Sequence, residues 1–262
     1  MILAIDMGNT NIVIGCVDDE KIYFEERLST DRSKTALEYA IGFKTVLELY
    51  DIDGQQIEGA IISSVVPPLT NVIKSAVEKI VGITPLVVGP GVKSGLNLHM
   101  DNPKTVGSDL IVDAVAASTE YGYPVIIVDM GTATTLSVVD QNRNYVGGAI
   151  LPGLRLSVDS LAQRTSQLFN VSLEVPPRAI GKNTSDCLKS GIVIGNAACI
   201  DGMIDRMEEE LGYKTTIVAT GGLAHVVIPE CKHDIIIDDN LLLKGLKIIY
   251  DKNMEENKRG SK

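Results

Sequence analysis

The apolar and polar positions of this chain follow one pattern twice. The apolar run Ile2 to Ile5 leads into a polar turn that begins at Asp6, and a second apolar stretch and a charged turn follow. The same order returns in the second half, where an apolar run over residues 125–128 leads into a polar turn that begins at Asp129. Each copy predicts a strand, a tight turn, a strand, a turn and a strand. Because the order of turn types repeats together with the hydrophobicity, we interpret the chain as a duplication.

Strands and helices are predicted to alternate between and after the two copies. The predicted strands cover residues 58–66, 85–88, 215–219 and 234–237, and the predicted helices cover residues 35–50, 71–81, 109–121, 190–211 and 241–250. Pro67-Pro68 is expected to end the first of these strands, and Ser108 is expected to cap the third helix. This alternation is typical of open α/β sheets with crossover connections. We place the two domains at residues 1–117 and 118–262.

The composition supports a globular α/β protein. Apolar residues make up 45% of the 262 residues and aromatic residues only 4%, so a core must be built from Val, Ile, Leu and Ala. Such residues fill buried sheets that are covered by helices. The formal net charge is −10. Because an acidic surface repels the phosphate backbone of nucleic acids, we expect no nucleic-acid partner, whereas a small anion can bind where local dipoles and cations favour it.

The Cys and His positions do not predict a metal centre or a disulfide framework. The four Cys and the scattered His form no CxxC pair, which favours reduced thiols in a cytoplasmic protein. The N-terminus has no basic region ahead of its first carboxylate, unlike a signal peptide. No apolar run approaches the ~20 residues that cross a bilayer. We therefore expect a cytoplasmic protein with no membrane partner.

The first polar turn, Asp6 to Asn11, carries groups that suit phosphate binding. Gly8 lets the backbone approach a ligand closely, and Asn9 and Thr10 offer donors to phosphate oxygens. Asp6 can hold a hydrated Mg²⁺ ion that neutralises those oxygens. An ordinary hairpin stabilised by Asx hydrogen bonds explains this turn equally well when the turn is taken alone.

The second polar turn favours phosphate binding over an ordinary hairpin, because it carries the same kinds of group as the first. Asp129 and Gly131 are accompanied by the hydroxyls of Thr132, Thr134 and Thr135. Two such turns facing each other across a cleft would hold both ends of a polyphosphate. A Gly-Gly pair at residues 221–222 follows a predicted buried strand and suits an adenosine ring lying against the backbone, although a turn at a helix start gives the same pattern.

Asp109 stands at the N-terminus of a predicted helix. There the helix dipole should lower its pKa and keep the carboxylate ionised at neutral pH. In phosphoryl transfer the base does little more than orient the acceptor hydroxyl, so an ionised carboxylate of this kind can act as the base. A capping or first-turn acid is nevertheless the commoner role for Asp at such a position, and spacing alone favours that role.

Taken together, these motifs resemble the type III pantothenate kinases, a family within the superfamily of acetate and sugar kinases, actin and the heat-shock ATPases. The resemblance covers nearly the whole chain and rests on Asp6 to Val13, Ser63 to Pro67, Asn102-Pro103, Gly107 to Asp109, Asp129 to Thr135, Gly148 to Gly153, Gly181 to Thr184, Ser190-Gly191 and Gly221-Gly222. It implies an α/β fold of two duplicated actin-like (ribonuclease H-like) domains with a nucleotide cleft between them. It also implies ATP-dependent phosphorylation of pantothenate, the first step of coenzyme A biosynthesis, by a homodimer.

The resemblance assigns roles to individual residues. Asp109 would be the catalytic proton acceptor, and Asp129 would hold a monovalent cation, K⁺ or NH₄⁺. ATP, bound with Mg²⁺, would contact Asp6, Met7, Gly8, Asn9, Thr10, Asn11, Ile12, Val13 and Thr132. Pantothenate would contact Met100, Gly107, Ser108, Asp109, Leu110 and Thr184.

Two residues on the acceptor side depart from the family's pattern. Leu110 stands where the family usually has Arg, and Met100 stands where it usually has Tyr. An Arg can pair with the pantothenate carboxylate, and losing one such charge-assisted contact costs about 1.5–3 kcal/mol unless another cation replaces it. The candidate replacements are Arg155, Arg164, Arg178 and Lys182, for each of which a solvated surface role is the default.

Two other functions remain open. A kinase of the same fold acting on another small alcohol would turn over ATP with that acceptor and leave pantothenate unchanged. A non-catalytic regulatory relative would bind nucleotide or partner proteins without transferring phosphate. The joint presence of Asp6, Asp109, Asp129 and Thr184 favours the pantothenate kinase.

Overall fold

The chain folds into two compact units that are built from different stretches of the sequence. This computed structural model describes residues 1–260, with side chains described through residue 255. The first unit contains Met1–Leu96, Asp101–Ala116 and the residues from Asn240 onward, and the second contains Asn97–Met100 and Ala117–Asp239. The first unit ends its middle stretch at Ala116, next to the predicted boundary after residue 117, and the segment from Asn240 onward, which the prediction assigned to the second domain, lies in the first unit.

The first unit is built on a five-stranded sheet with the order β3-β2-β1-β4-β5. Its strands are β1 (Ile2–Met7), β2 (Asn11–Val17), β3 (Ile22–Ser29), β4 (Gly59–Ser64) and β5 (Leu86–Val87). The first three strands form an antiparallel meander, whereas β4 lies parallel to β1 and β5 lies parallel to β4.

The second unit repeats this topology in its six-stranded sheet, which has the order β11-β10-β7-β8-β9-β6. Its strands are β6 (Asn97–Leu98), β7 (Val125–Met130), β8 (Ala133–Val139), β9 (Asn144–Pro152), β10 (Thr216–Thr220) and β11 (Ile236–Ile237). The meander β7-β8-β9 corresponds to β1-β2-β3, and the parallel strands β10 and β11 correspond to β4 and β5. The short strand β6 is an addition that extends the edge next to β9.

An irregularity in the strand pairing recurs at the same place in both sheets. The register between β2 and β3 shifts at Cys16/Val17, and the register between β8 and β9 shifts at Val138/Val139. Each shift falls at the end of the second strand of its meander, where a bulge increases the local twist. The common strand order and the common bulge confirm the predicted duplication.

Eight α-helices complete the part of the chain described here. They are α1 (Ala36–Leu49), α2 (Pro67–Val81), α3 (Ser108–Glu120), α4 (Leu154–Arg164), α5 (Thr184–Lys189), α6 (Gly195–Leu211), α7 (Ala224–Val227) and α8 (Leu241–Gly260). Helix α1 begins close to its predicted start because Thr35 and Glu38 form a reciprocal capping box. The sequence analysis did not predict α4, α5, α7 or the short strand β6.

Two predicted boundaries were wrong for identifiable reasons. Pro67 and Pro68 do not merely stop β4; they form the first turn of α2, where a proline loses no hydrogen bond because those N–H groups have no helical partner. Helix α6 was predicted to begin near residue 190, but the wider turn Ser190–Ile194 joins it to α5. The result is one helical stretch that starts at Thr184.

This stretch, Thr184–Leu211, has the length and apolar composition of a membrane-spanning helix. The sequence analysis expected no segment of this kind, because it predicted a later start and therefore a shorter helix. Core helices of globular proteins have the same properties, and the buried Ile192, Ile200 and Ile204 belong to the core of the second unit. Length and composition here are weak indications of a membrane span, and the absence of a membrane partner stays a prediction.

Both faces of the first sheet are covered. Alternate residues of β1 point to opposite sides, so Leu3 and Ile5 pack with α1 and α2 whereas Ile2 and Ala4 pack with α3 and α8. This explains the continuous apolar run in β1, since a strand buried on both faces does not alternate with polar residues.

Helix α8 belongs to the first unit because three glycines admit it closely. A Cβ at Gly15 would lie 2.6 Å from a methyl carbon of Leu243, and a Cβ at Gly59 would lie 1.8 Å from the Tyr250 hydroxyl. A Cβ at Gly245 itself would lie 2.1 Å from the carbonyl oxygen of Val112 in α3. These close approaches seal the second face of the first sheet.

Candidate active site

The first polar turn connects β1 to β2 and is fixed by its own backbone. The Gly8 N–H donates to the Asn11 carbonyl oxygen at 3.0 Å, and a Cβ at Gly8 would lie 2.9 Å from that oxygen. Thr30, at the end of β3, bonds to the turn through its hydroxyl, which donates to the Gly8 carbonyl at 2.7 Å. Its N–H donates to the Thr10 carbonyl at 2.9 Å. The two bonds from Thr30 therefore fix the backbone of the turn, and its polar side chains face solvent.

Asp6 lies at the base of this turn, where it pairs with Val13 across the strands and is 7% exposed. Asn9, Thr10 and Asn11 are exposed. The predicted nucleotide residues Met7 and Ile12 are fully buried instead, so only their backbone groups can face a ligand.

The second polar turn connects β7 to β8 in the same way and is one residue shorter. The Gly131 N–H donates to the Ala133 carbonyl at 3.1 Å, and Asp129 occupies the position that Asp6 has in the first unit. Thr132 is exposed at the tip of the turn. The structure thus gives each unit a glycine turn that follows a strand-end carboxylate.

The three threonines of the second turn do not share one environment. Thr134 is fully buried, which corrects the prediction that its hydroxyl faces a phosphate. Thr135 pairs directly with Asp129, so the two side chains lie on the same face of the sheet. The Thr135 hydroxyl is buried and has no hydrogen-bond partner in the structure. A carboxylate and an unpartnered hydroxyl on one face form an oxygen-rich environment.

Two further glycines, Gly221 and Gly153, lie in close contact with the backbone of the second turn. Gly221, which follows β10, has a φ of +95°, and a Cβ there would lie 2.7 Å from the backbone of Met130. A Cβ at Gly153 would lie 2.2 Å from the Thr132 carbonyl oxygen. The predicted adenosine turn at residues 221–222 is therefore in direct contact with the strand that ends in the second phosphate turn.

The start of α3 brings together Gly107, Ser108 and Asp109. Ser108 was predicted to cap this helix, but it is the first helical residue and its hydroxyl bonds elsewhere. It donates to the Ser64 carbonyl at 3.2 Å, accepts from the Ser64 N–H at 3.1 Å, and lies 2.9 Å from the Ser63 hydroxyl. Since one hydroxyl offers one donor and two acceptor sites, these bonds use its whole capacity.

Asp109 is half-buried at the first turn of α3. Its Oδ1 accepts the Leu110 N–H at 2.8 Å. Burial raises the pKa of this carboxyl above its ordinary value of 3.8, and hydrogen bonds from the backbone N–H groups of Leu110 and Asp109 offset only part of that rise. The prediction of a lowered pKa was therefore wrong, because the helix start lies in a desolvated environment. A raised pKa makes Asp109 a stronger base than an exposed aspartate.

The remaining acceptor-side residues lie apart in the sequence and in different surroundings. Leu110 is half-buried on α3, in the first unit. Met100 follows β6 in the second unit, where its sulfur would lie 3.3 Å from a Cβ at Gly147. Thr184 is exposed at the first position of α5, behind the helix cap Asn183. The candidate replacement cations are all exposed: Arg155, Arg164, Arg178 and Lys182.

The donor set fits a divalent ion that is carried by a nucleotide. Among the described residues, no group of three or more His, Cys, Asp or Glu side chains could hold a metal ion. Mg²⁺ in phosphoryl-transfer enzymes is held by substrate phosphates together with one or two carboxylates and water, so a single strand-end carboxylate such as Asp6 matches that requirement.

The sequence analysis missed the side chains that hold these groups in place. Thr30 and Ser63 are the main examples: one fixes the first turn and the other bonds to the start of α3. Ser63 lay in a motif that carried the family resemblance, which was the available signal. Thr30 gave no signal, because its partner is a backbone carbonyl far away in the sequence.

Two sheets of common topology, each with a carboxylate and a glycine turn at the end of its first strand, define the duplicated actin-like (ribonuclease H-like) fold. Solved structures agree. The chain is similar to a Baf family transcriptional activator from Campylobacter jejuni, with a TM-score of 0.61, 21% identity, and 97% and 100% of the two chains covered. It is also similar to a ROK hexokinase from Thermus thermophilus, with a TM-score of 0.53, 12% identity, and 97% and 99% covered. Likenesses at these identities define the fold.

Closer relatives define the family. The family model described as type III pantothenate kinase matches residues 2–206. A type III pantothenate kinase from an Exiguobacterium strain is 44% identical over 97% of this chain and 100% of the relative. One from Halalkalibacterium halodurans is 43% identical with the same coverage of both chains. The chain belongs to the type III pantothenate kinase family.

Proposed function

We propose that this protein transfers the γ-phosphoryl group of ATP to the primary hydroxyl of pantothenate, giving 4′-phosphopantothenate in the first step of coenzyme A biosynthesis. The observation that carries the proposal is the half-buried Asp109, held at the start of α3 with a raised pKa. Family membership over almost the whole chain gives the substrate. The duplicated turns provide the chemistry that binds phosphate.

ATP-binding residues are assigned in each of the two glycine turns. In the first turn the residues are Asp6, Met7, Gly8, Asn9, Thr10, Asn11, Ile12 and Val13, and in the second the contact residue is Thr132. The exposed side chains donate to phosphate oxygens directly, whereas the buried Met7 and Ile12 contribute through the backbone. Asp6 is the carboxylate that would hold Mg²⁺, and the ion would neutralise the charge that develops during transfer.

Asp129 would hold a monovalent cation, K⁺ or NH₄⁺. The support for this site is the donor set: the Asp129 carboxylate and the buried, unpartnered Thr135 hydroxyl lie on the same face of the sheet. A buried hydroxyl without a partner costs free energy, and an ion would recover that cost.

Asp109 accepts the proton of the pantothenate hydroxyl. As the hydroxyl oxygen forms its bond to the γ-phosphorus, the bond from that phosphorus to the β,γ-bridging oxygen breaks, ADP leaves, and the hydroxyl proton moves to an Asp109 oxygen. The other residues proposed to bind pantothenate are Gly107, Ser108, Leu110, Met100 and Thr184. Because the Ser108 hydroxyl is saturated by Ser63 and Ser64, Ser108 contributes its backbone N–H.

The functional form is a cytoplasmic homodimer. Its support is a series of exposed apolar side chains along one segment of the second unit: Val146, Ile150, Leu156, Leu161, Phe169, Val175 and Ile180. Exposed apolar side chains in this number commonly mark association surfaces. Sedimentation equilibrium measures the mass directly: a dimer is expected for the native chain and a monomer for Ile150→Glu, whereas a monomeric native chain contradicts the dimer.

The activity is tested with the purified native chain, ATP, Mg²⁺ and either K⁺ or NH₄⁺. Pantothenate is offered beside a panel of other small primary alcohols, and the products are identified by mass. The proposal expects 4′-phosphopantothenate and a clear loss of rate when Na⁺ replaces K⁺ and NH₄⁺. Phosphorylation of another alcohol with pantothenate unchanged would assign a different substrate, and nucleotide binding without any phosphorylated product would assign a regulatory relative.

A further inference from the structure

We propose that Ser63 is a positioning residue that sets the place of Asp109 through its hydrogen bond to Ser108. The inference rests on the proposed role of Asp109 as proton acceptor. Ser63 opens the motif Ser63 to Pro67, for which the proposed reaction supplies no direct task.

Ser63 is a polar residue at a fully buried position. It lies near the end of β4, has no exposed surface, and pairs in parallel register with Asp6 of β1. A buried hydroxyl is tolerated when it has a hydrogen-bond partner and is otherwise costly. The partner here is the Ser108 hydroxyl, 2.9 Å away.

The other bonds of Ser108 bear on which of the two hydroxyls donates the hydrogen in this contact. Ser108 uses its single hydrogen on the Ser64 carbonyl and one lone pair on the Ser64 N–H. In this arrangement the remaining lone pair of Ser108 accepts the Ser63 hydrogen, whereas a Ser108 hydroxyl turned toward Ser63 would donate to it instead; the two hydroxyls are bonded either way. These contacts fix the start of α3 to the end of β4, and among the described residues Ser63 is the one whose side chain bonds to the Ser108 hydroxyl.

Asp109 is the next residue along α3, and its carboxylate has little freedom. Its Oδ1 accepts the Leu110 N–H, and the same oxygen would lie 2.4 Å from a Cβ at Gly107. The bond to the Leu110 N–H ties the carboxylate to the first turn of α3, so a shift of that turn displaces the carboxylate as well. Since Ser63 also adjoins Asp6, one buried serine connects the strand that ends in the first phosphate turn to the helix that carries the proton acceptor.

Ser64 offers a matched control from the neighbouring position. Its hydroxyl accepts the Val66 N–H at 3.2 Å and lies 2.9 Å from the Thr70 hydroxyl, so it serves the start of α2. Only the backbone of Ser64 bonds to Ser108. Replacing the Ser64 side chain with Ala removes an equal volume and an equal hydroxyl without breaking any bond to Ser108.

The experiment compares Ser63→Ala, Ser108→Ala, the double variant and Ser64→Ala with the native chain. Steady-state rates give kcat and the KM for ATP, and thermal unfolding gives the stability of each variant. Ser63→Ala is expected to lower kcat roughly 10- to 100-fold, the range that a misplaced catalytic group produces. The KM for ATP should stay within about twofold, because the first phosphate turn is held by Thr30 instead.

The double variant distinguishes positioning from general weakening. If Ser63 acts through Ser108, the double variant should lose no more kcat than Ser108→Ala alone, because Ser108→Ala already removes the bond to Ser63, whereas independent effects would multiply. Ser64→Ala should keep kcat within about twofold even if it lowers the melting temperature. Should Ser63→Ala fail to fold, Ser108→Ala removes the same bond from a half-buried position and is judged by the same loss of kcat.

Three results would overturn the proposal: native kcat in a folded Ser63→Ala variant (or in Ser108→Ala if Ser63→Ala does not fold), a multiplied loss in the double variant, or an equal loss of kcat in Ser64→Ala. Each of these requires an active native chain. A native chain that phosphorylates no pantothenate is a different result, because it rejects the proposed reaction and with it the role of Ser63.

Discussion

A Cβ added to Gly107 would lie 2.4 Å from the Asp109 carboxylate oxygen Oδ1. That distance is far below ordinary van der Waals contact, so the carboxylate occupies space that only glycine leaves open. Glycine at this position lets Asp109 fold back onto the Leu110 N–H, to which it is bonded at 2.8 Å. The acceptor geometry thus depends on a residue that takes no part in the chemistry.

Replacing Gly107 with Ala should therefore displace the Asp109 carboxylate. We expect a fall in kcat of roughly 10- to 100-fold, the usual consequence of moving a catalytic group by about an ångström. The matched control is Gly42→Ala in α1, where a Cβ would meet no atom within 4 Å. Steady-state kinetics of both variants decide the point: an active Gly107→Ala variant with native kcat would show that the carboxylate tolerates displacement.

The raised pKa of Asp109 predicts how activity depends on pH. A proton acceptor must be ionised, so kcat/KM should fall as the pH drops through the pKa of Asp109, at a pH above the ordinary carboxyl value of 3.8. The measurement is a pH–rate profile of the native chain between pH 4 and about 8. An acid limb at or below the ordinary carboxyl pKa would contradict the effect of burial.

The same shift has a consequence for stability. The pKa of Asp109 is higher in the folded chain than in the unfolded chain, so the folded state binds this proton more tightly and loses stability as the pH rises through the folded pKa. Asp109→Asn removes the ionised form and should raise the melting temperature at neutral pH, with no gain below the ordinary carboxyl pKa. A lower melting temperature at neutral pH would contradict this sign.

The contact between Gly221 and Met130 predicts an effect on nucleotide binding. Gly221→Ala forces a side chain onto a φ of +95° and against the Met130 backbone, next to Asp129. We expect at least a tenfold weaker affinity for ATP together with a loss of stability above about 1 kcal/mol. Gly212→Ala is the matched control, because it shares a positive φ of +79° but meets no atom within 4 Å. It should lose stability and keep nucleotide affinity, as titration and thermal unfolding can show.

The duplication was predictable because it leaves a repeated hydrophobic pattern, and a buried strand followed by a glycine turn is a local signal. The assignment of α8 was not predictable. Its apolar face shows that it packs on something, but the choice of sheet depends on Gly15 and Gly59, which accommodate Leu243 and Tyr250. No local pattern relates these positions.

The same limit applies to the site. Sequence placed Asp109 at a helix start correctly, yet its pKa depends on burial by distant segments, which reversed the expected direction. The link between Ser63 and Ser108 joins residues far apart in the chain. Roles that reside in a motif could be predicted, whereas contacts that only the fold creates could not.

The proposed role of Asp109 is tested most directly by comparing the native chain with Asp109→Asn in the formation of 4′-phosphopantothenate under saturating ATP. The side chains are equal in size, and Asn can still accept the Leu110 N–H, so nucleotide affinity should be unchanged. We predict product from the native chain and a loss of at least 100-fold in kcat for the variant, within the range that general base catalysis contributes. A variant that forms 4′-phosphopantothenate at the native rate would contradict the account.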